Sequence, residues 1–142
     1  MKKAIINSLI FVVAIFVGSN VNMALINLGP KLIAMPKGFD LTTEKGLIAA
    51  MPFMEAKHFL FPFLAHAFGT FIAALLIFVL MKEKSKYYSF FAAALFFLGG
   101  AYMVKVLPAP LWFNVTDLVL AYFPMVFLAQ WLVEKRRGMK LN

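Results

Sequence analysis

Four long apolar runs, each bounded by charged or proline-containing segments, constrain this sequence more than any other feature. Inside the runs the only Lys, Arg, Asp or Glu residues are Lys105 and Asp117. About 20 helical residues are enough to cross the roughly 30 Å hydrocarbon core of a bilayer. We therefore predict an all-α integral membrane four-helix bundle, a single transmembrane domain over residues 1–142. The predicted helices cover about residues 4–28, 59–81, 88–106 and 111–133.

The composition supports a membrane protein. The chain is 63% hydrophobic and 14% charged, whereas a soluble domain has about 25% charged residues. The net charge of +8 does not indicate nucleic acid as a partner, because most basic residues flank the apolar runs, where they contact anionic lipid headgroups. The absence of cysteine excludes disulfides, thiol redox chemistry and cysteine metal sites.

A long first loop is predicted over residues 29–57. Pro30 is expected to end the first helix because proline lacks a backbone N–H. Within the loop, Asp40 or Thr42 is expected to cap a short helix over about residues 44–51. That helix is too short to span, so it is predicted to lie at the membrane interface. The first run also begins like a secretory signal, but its full apolar length favours an uncleaved helix.

The basic residues predict the orientation. If both termini lie on one side, that side collects nine of the 14 Lys and Arg residues: Lys2, Lys3, Lys82, Lys84, Lys86, Lys135, Arg136, Arg137 and Lys140. The positive-inside rule then places both termini in the cytoplasm and the long loop outside. The pattern resembles small bacterial proteins with four spans, which implies a multi-pass protein of the bacterial cytoplasmic (inner) membrane.

Polar residues of all four runs fall at similar depth near the outward end. Because a charged side chain at membrane depth costs about 2.5–3.5 kcal/mol on insertion scales, such residues are expected to face the bundle interior and meet there. The predicted ligand-binding residues of this outward-facing pocket are Asn20, Asn22, His66, Thr70, Tyr102 and Asp117.

Asp117 and His66 are the sharpest signals, and each allows two interpretations. Asp117 is either a proton or cation site, or the partner of Lys105 or a cap near Asn114. His66 is either a proton relay or ligand, or an interhelical hydrogen bond.

Metal and cofactor chemistry is weakly indicated. His58, His66 and Asp117 are candidate ligands for one zinc or similar ion, but their spacing is not distinctive, so no metal site is predicted. No motif identifies a cofactor.

A stripe of small residues accompanies the second run. Ala65, Gly69 and Ala73 recur four residues apart, so they share one helix face. Small residues of this kind let the backbone of another membrane helix approach closely. The stripe predicts helix packing within the chain or between subunits.

Three functions remain open on the sequence alone. The first is binding or transport of a small polar solute or ion in the outward-facing pocket. The second is an accessory or structural subunit of a larger membrane complex. The third is a membrane enzyme using acid–base or metal chemistry at histidine and aspartate. The predicted partners are the lipid bilayer and either a second copy of the chain or a larger complex.

Overall fold

The computed structural model describes residues 2–138, and within that range every regular element is helical. The all-α prediction is therefore confirmed for this part of the chain, while Lys140 of the predicted basic tail lies outside it. The six α-helices are α1 (Lys2–Leu32), α2 (Glu44–Ala50), α3 (Leu60–Leu80), α4 (Ser85–Val106), α5 (Leu111–Leu120) and α6 (Phe123–Arg136). Two single 3₁₀ turns, Met51–Phe53 and Ala56–Phe59, lead from α2 into α3.

Four helical segments are long and apolar enough to cross a bilayer, and they correspond to the four predicted runs. They are Lys2–Leu32, Ala56–Leu80, Ser85–Val106 and Leu111–Arg136. Each begins or ends next to charged residues, as expected for helices whose middle sections avoid water.

Helix α3 is the centre of the bundle, and α1, α4 and α6 pack around it. Small residues line its contact faces, because Ala65, Ala73 and Ala74 are all fully buried. On one side Ala74 and Phe78 pack against Val126 of α6, and on the other Ile77 packs against Ala14 of α1. The small-residue stripe thus serves packing within the chain.

Both described ends of the chain lie at the same end of the bundle. The Lys3 ammonium lies 2.9 Å from the Glu83 carboxylate in the turn between α3 and α4. The hydrogen bond from Lys3 and its charge hold the pKa of Glu83 below its usual value. Arg137 donates to the carbonyl oxygens of Phe78 (3.1 Å) and Val79 (3.2 Å). We call this the termini end, and the opposite end, which carries residues 33–59 and 107–110, the loop end.

The first helix is longer than predicted. Helix α1 continues through Pro30 to Leu32, past the predicted end at residue 28. The proline costs one backbone hydrogen bond, but the surrounding turn is held against α3: a Cβ atom at Gly29 would lie 2.8 Å from that of Phe61. The Ile33 N–H also donates to the Gly29 carbonyl (2.8 Å). Packing of this turn against α3 therefore keeps the chain helical beyond Pro30.

The fourth run is interrupted. It forms α5 and α6, separated by Ala121 and Tyr122, where a single helix over 111–133 was predicted. Pro124 lies in the first turn of α6 and cannot donate to the carbonyl of Leu120, four residues back. The chain therefore restarts its helix instead of continuing it.

The short loop helix exists, but its cap is a different residue. Helix α2 covers Glu44–Ala50, and the Thr43 hydroxyl accepts from the Gly46 N–H at 3.1 Å. Asp40 is not the cap, because its carboxylate accepts from the N–H and hydroxyl of Thr42 instead. Those hydrogen bonds lower the pKa of Asp40.

Candidate functional site

A buried histidine–aspartate pair joins α3 to α5. His66 Nδ1 lies 2.9 Å from Oδ1 and 2.8 Å from Oδ2 of Asp117. The Tyr122 hydroxyl donates to Oδ2 at 3.1 Å, and its ring stacks on the imidazole with centroids 5.7 Å apart. Asp117 is only 3% exposed. The two protein donors therefore take the place of the water molecules that would bind an exposed carboxylate.

The pair determines what His66 offers to a ligand. An ionised carboxylate only accepts hydrogen bonds, so Nδ1 carries the proton that it donates to Asp117. In the neutral ring the other nitrogen, Nε2, is then an acceptor. Among residues 2–138, no side chain or backbone group lies within hydrogen-bonding distance of Nε2. His66 is partly exposed, at 21% for its side chain.

Local backbone features bring Tyr122 to the pair. In a continuous helix, residues five apart point about 140° away from each other. The break after Ala121 changes this direction and lets Tyr122 reach Asp117. Gly100 of α4 makes room for the phenol, since a Cβ atom there would lie 2.8 Å from Tyr122 Cζ. Beneath the pair, the Thr70 hydroxyl donates to the His66 carbonyl at 2.8 Å.

A cavity of about 420 Å³ lies at the loop end of the bundle and includes both members of the pair in its wall. Ligand sites commonly measure about 300–1,000 Å³. We call it the main cavity. Its polar lining residues are Asn22, His58, His66, Asn114 and Asp117. The remaining wall is largely apolar, and the loop contributes much of it through Ile33, Met35, Leu41, Leu47, Met51 and Met54.

Three of the predicted ligand-binding residues meet at the main cavity: Asn22, His66 and Asp117. Thr70 is 1% exposed and lies behind the pair rather than in the cavity wall. Tyr102 is 64% exposed and lines an adjoining cavity.

Asn20 lies elsewhere. Its side chain is exposed and donates to the Phe16 carbonyl of its own helix at 2.7 Å, so it does not join the cavity lining. Asn20 and Asn22 therefore point in different directions, as expected for residues two apart, which lie about 200° apart around a helix.

The alternative partners proposed for Asp117 are not its partners in the structure. Lys105 is exposed, and the Asp117 carboxylate is bound by His66 and Tyr122 instead. Asn114 donates to the Ala109 carbonyl at 3.2 Å, which stabilises the turn before α5.

Both ring nitrogens of His58 are hydrogen-bonded to the backbone of the loop. Its Nδ1 accepts from the Glu55 N–H at 2.8 Å, which leaves Nε2 to donate to the Ala34 carbonyl at 3.0 Å. The candidate metal ligands His58, His66 and Asp117 do not converge, and residues 2–138 contain no group of three His, Asp or Glu side chains placed to hold a metal ion.

Tyr122 is the site residue that the sequence analysis missed. Its position five residues after Asp117 places it on another face of an unbroken helix, so it was not grouped with the pair. Pro124, two residues later, was the available signal that the helix is interrupted there.

Comparison with known proteins finds no matching family model, no similar curated protein and no similar solved structure. The functional argument therefore rests on the geometry of the site.

Proposed function

We propose that this protein spans the cytoplasmic membrane four times and binds a small molecule in the main cavity. The loop end faces outward and the lysine-rich termini end faces the cytoplasm, as the positive-inside rule favours. One observation carries the proposal: a histidine oriented by a buried carboxylate presents an unpaired Nε2 in the wall of a 420 Å³ cavity.

The cavity favours binding over a purely structural role. A histidine–aspartate pair that only joined two helices would be stable in a fully packed interior, where dispersion contacts are not lost. Here Asn22 and Asn114 also border the space beside the pair. Polar groups that converge on an otherwise apolar pocket are typical of ligand sites.

The lining also indicates what kind of molecule fits. The sequence alone predicts a small polar solute or ion. Such a ligand would lose its hydration and gain few polar contacts here, because most of the wall is methionine, leucine, isoleucine and phenylalanine. The site suits a molecule with one polar group directed at His66 better.

The geometry supports binding more than catalysis. A histidine oriented by a carboxylate can act as a general base. The described lining of the main cavity, however, includes no serine or threonine and the chain has no cysteine, so such a base has no side-chain nucleophile to activate there.

The test uses phenol, which combines one hydroxyl donor with a small apolar ring. The chain has two histidines, so ¹⁵N-histidine labelling in lipid nanodiscs gives two pairs of imidazole nitrogen signals. We expect phenol to shift the Nε2 signal of His66 saturably. His58 also lines the main cavity, but its Nε2 already donates to the Ala34 carbonyl, so its Nε2 signal should shift clearly less. An unchanged His66 signal at bilayer-saturating phenol would contradict the proposal.

Variants locate the binding. Asp117→Asn removes the negative charge that makes Nε2 a good acceptor, so we expect about tenfold weaker phenol binding while the protein still accumulates in membranes. Asn22→Ala is expected to weaken binding, whereas Asn20→Ala, altered outside the cavity, leaves it unchanged. If Asn20→Ala weakened binding as much as Asn22→Ala, the ligand would lie elsewhere. Failure of Asp117→Asn to accumulate would favour a structural role for the pair.

A further inference from the structure

A second space adjoins the main cavity between α1 and α4. This side cavity measures about 410 Å³ and is lined by α1 residues such as Ser19 and by α4 residues such as Leu95 and Gly99. Helices α1 and α4 pack mainly on α3 and little on each other. Towards the termini end, Phe11 of α1 packs against Tyr88 and Phe91 of α4, and the side cavity is the part of the gap that stays open beyond these rings.

The side cavity connects the molecular surface with His66. Asn22, Met23, His66, Gly100 and Met103 line both cavities, so the two spaces share a wall at the histidine. Towards the surface, Met23 is 56% exposed and Met103 is 38% exposed. A Cβ atom at Gly99 would meet nothing within 4 Å.

The position of this opening indicates where a ligand comes from. Gly99 lies seven residues before the end of α4 at Val106, about 10 Å below the loop end. If α4 spans the bilayer, the opening faces lipid hydrocarbon and not water. At the loop end itself, apolar loop residues line the main cavity, and the His58–Ala34 hydrogen bond fastens the loop.

The pair determines the polar group of the ligand. When Asp117 is ionised and the His66 ring is neutral, Nε2 accepts a hydrogen bond, so a hydroxyl hydrogen suits it and an ether or ester oxygen does not. The apolar lining of both cavities suits an apolar body attached to that hydroxyl.

We propose that the ligand is a bilayer-dissolved molecule with an apolar body and a hydroxyl group, which enters between α1 and α4 and donates its hydroxyl hydrogen to His66 Nε2. This inference rests on the proposed function, since it names the ligand class and the entrance of the same site.

The entrance is tested with para-hexylphenol in nanodiscs, with its exchange rate followed through the ¹⁵N line shape of His66. Gly99→Trp places a large side chain in the opening without a backbone clash. We expect it to slow both association and dissociation about tenfold, with little change in Kd, because a narrowed entrance acts in both directions. Ser19→Trp, on the opposite wall and outside the main cavity, is expected to do the same.

Leu98→Trp is the matched control. Leu98 is adjacent, 63% exposed and outside both cavity linings, so its variant should exchange ligand at the original rate. Ligand-free histidine signals identical to the parent protein show that each variant folds. Unchanged rates in Gly99→Trp and Ser19→Trp, or equal slowing in Leu98→Trp, would overturn the lateral entrance.

The ligand class is tested with the methyl ether of para-hexylphenol, which lacks the hydroxyl hydrogen. We expect about tenfold weaker binding, the usual effect of one lost hydrogen bond. Equal binding of phenol and ether would overturn the hydroxyl assignment. If phenol binds at His66 but the entrance test or the ether test fails, the proposed function still stands. If phenol does not bind, neither the proposed function nor this inference stands.

Discussion

Removing a carboxylate from water costs free energy, and the neighbours of Asp117 offset that cost. Asp117 has two donors, His66 and Tyr122, and breaking a buried pair by removing one partner commonly costs about 3–5 kcal/mol. The tyrosine reaches the carboxylate only because Gly100 lacks a side chain. At the residue scale, the site therefore depends on a glycine that touches no ligand.

Two adjacent glycines in α4 give a direct test of that dependence. Gly100→Ala is expected to lower the free energy of unfolding by about 2 kcal/mol, because the new methyl group displaces the phenol and its hydrogen bond to a charged group. Gly99→Ala is the matched control: its methyl group meets open space, and alanine favours a helix by up to about 1 kcal/mol over glycine. Unfolding in detergent micelles measures both.

The Tyr122→Phe background separates this cause from general crowding. Without the hydroxyl there is no hydrogen bond left to lose, so Gly100→Ala should cost clearly less there than in the parent protein. An equal cost in both backgrounds would mean that Gly100 matters for packing alone.

Part of the site was predictable from the sequence because hydrocarbon restricts where polar groups can lie. Depth alone brought Asn22, His66 and Asp117 together. It did not separate Asn20 from Asn22, since rotation about the α1 axis is determined by contacts with α3 that a single helix does not reveal. Nor did it identify Tyr122, whose direction depends on a backbone break.

At the scale of elements, the crossing of α1 over α3 sets the position of the cavity wall. A Cβ atom at Gly18 would lie 2.6 Å from the Gly69 carbonyl oxygen and 2.9 Å from the Ala73 Cβ atom. The same crossing places Asn22 next to Gly69, with 3.0 Å between the Asn22 Cβ atom and a Cβ atom built at Gly69. One close contact between helices thus positions a ligand-facing asparagine one turn away.

Gly18→Ala should therefore affect both stability and binding. The nearest atom is backbone and cannot rotate away, so α1 has to move outward at a cost of about 1–3 kcal/mol. We expect phenol to bind more weakly as Asn22 moves with the helix. Ala24→Leu adds more volume to an exposed face of α1 and should change the free energy of unfolding by less than about 0.5 kcal/mol. A Gly18→Ala protein with parental stability would contradict this packing.

The elements themselves were largely predictable, and their exceptions share one cause. Hydropathy and length identify four runs, because each must satisfy its backbone hydrogen bonds internally. Hydropathy and length do not predict how each proline affects its helix. Pro30 leaves α1 intact where Gly29 packs on Phe61, whereas Pro124 coincides with the break between α5 and α6. At Pro30, the contact with the neighbouring helix α3 decides the outcome.

At the scale of the whole molecule, one end of the bundle carries a cluster of basic residues and the other carries an apolar loop. The termini end carries eight Lys and Arg residues of the described chain: Lys2, Lys3, Lys82, Lys84, Lys86, Lys135, Arg136 and Arg137. The loop end carries an apolar loop over the main cavity. The basic termini end and the main cavity at the loop end fit the proposed orientation, in which the termini end faces the cytoplasm.

That orientation can be measured because the chain contains no cysteine. Lys37→Cys places a thiol in the exposed loop and Lys82→Cys places one in the exposed turn after α3. With a membrane-impermeant maleimide and intact spheroplasts, we expect the thiol at 37 to react at once. The thiol at 82 should react only after permeabilisation, which also shows that it is accessible. The reverse pattern would place the cavity on the cytoplasmic side, and labelling of both thiols in intact cells would contradict a membrane-spanning bundle.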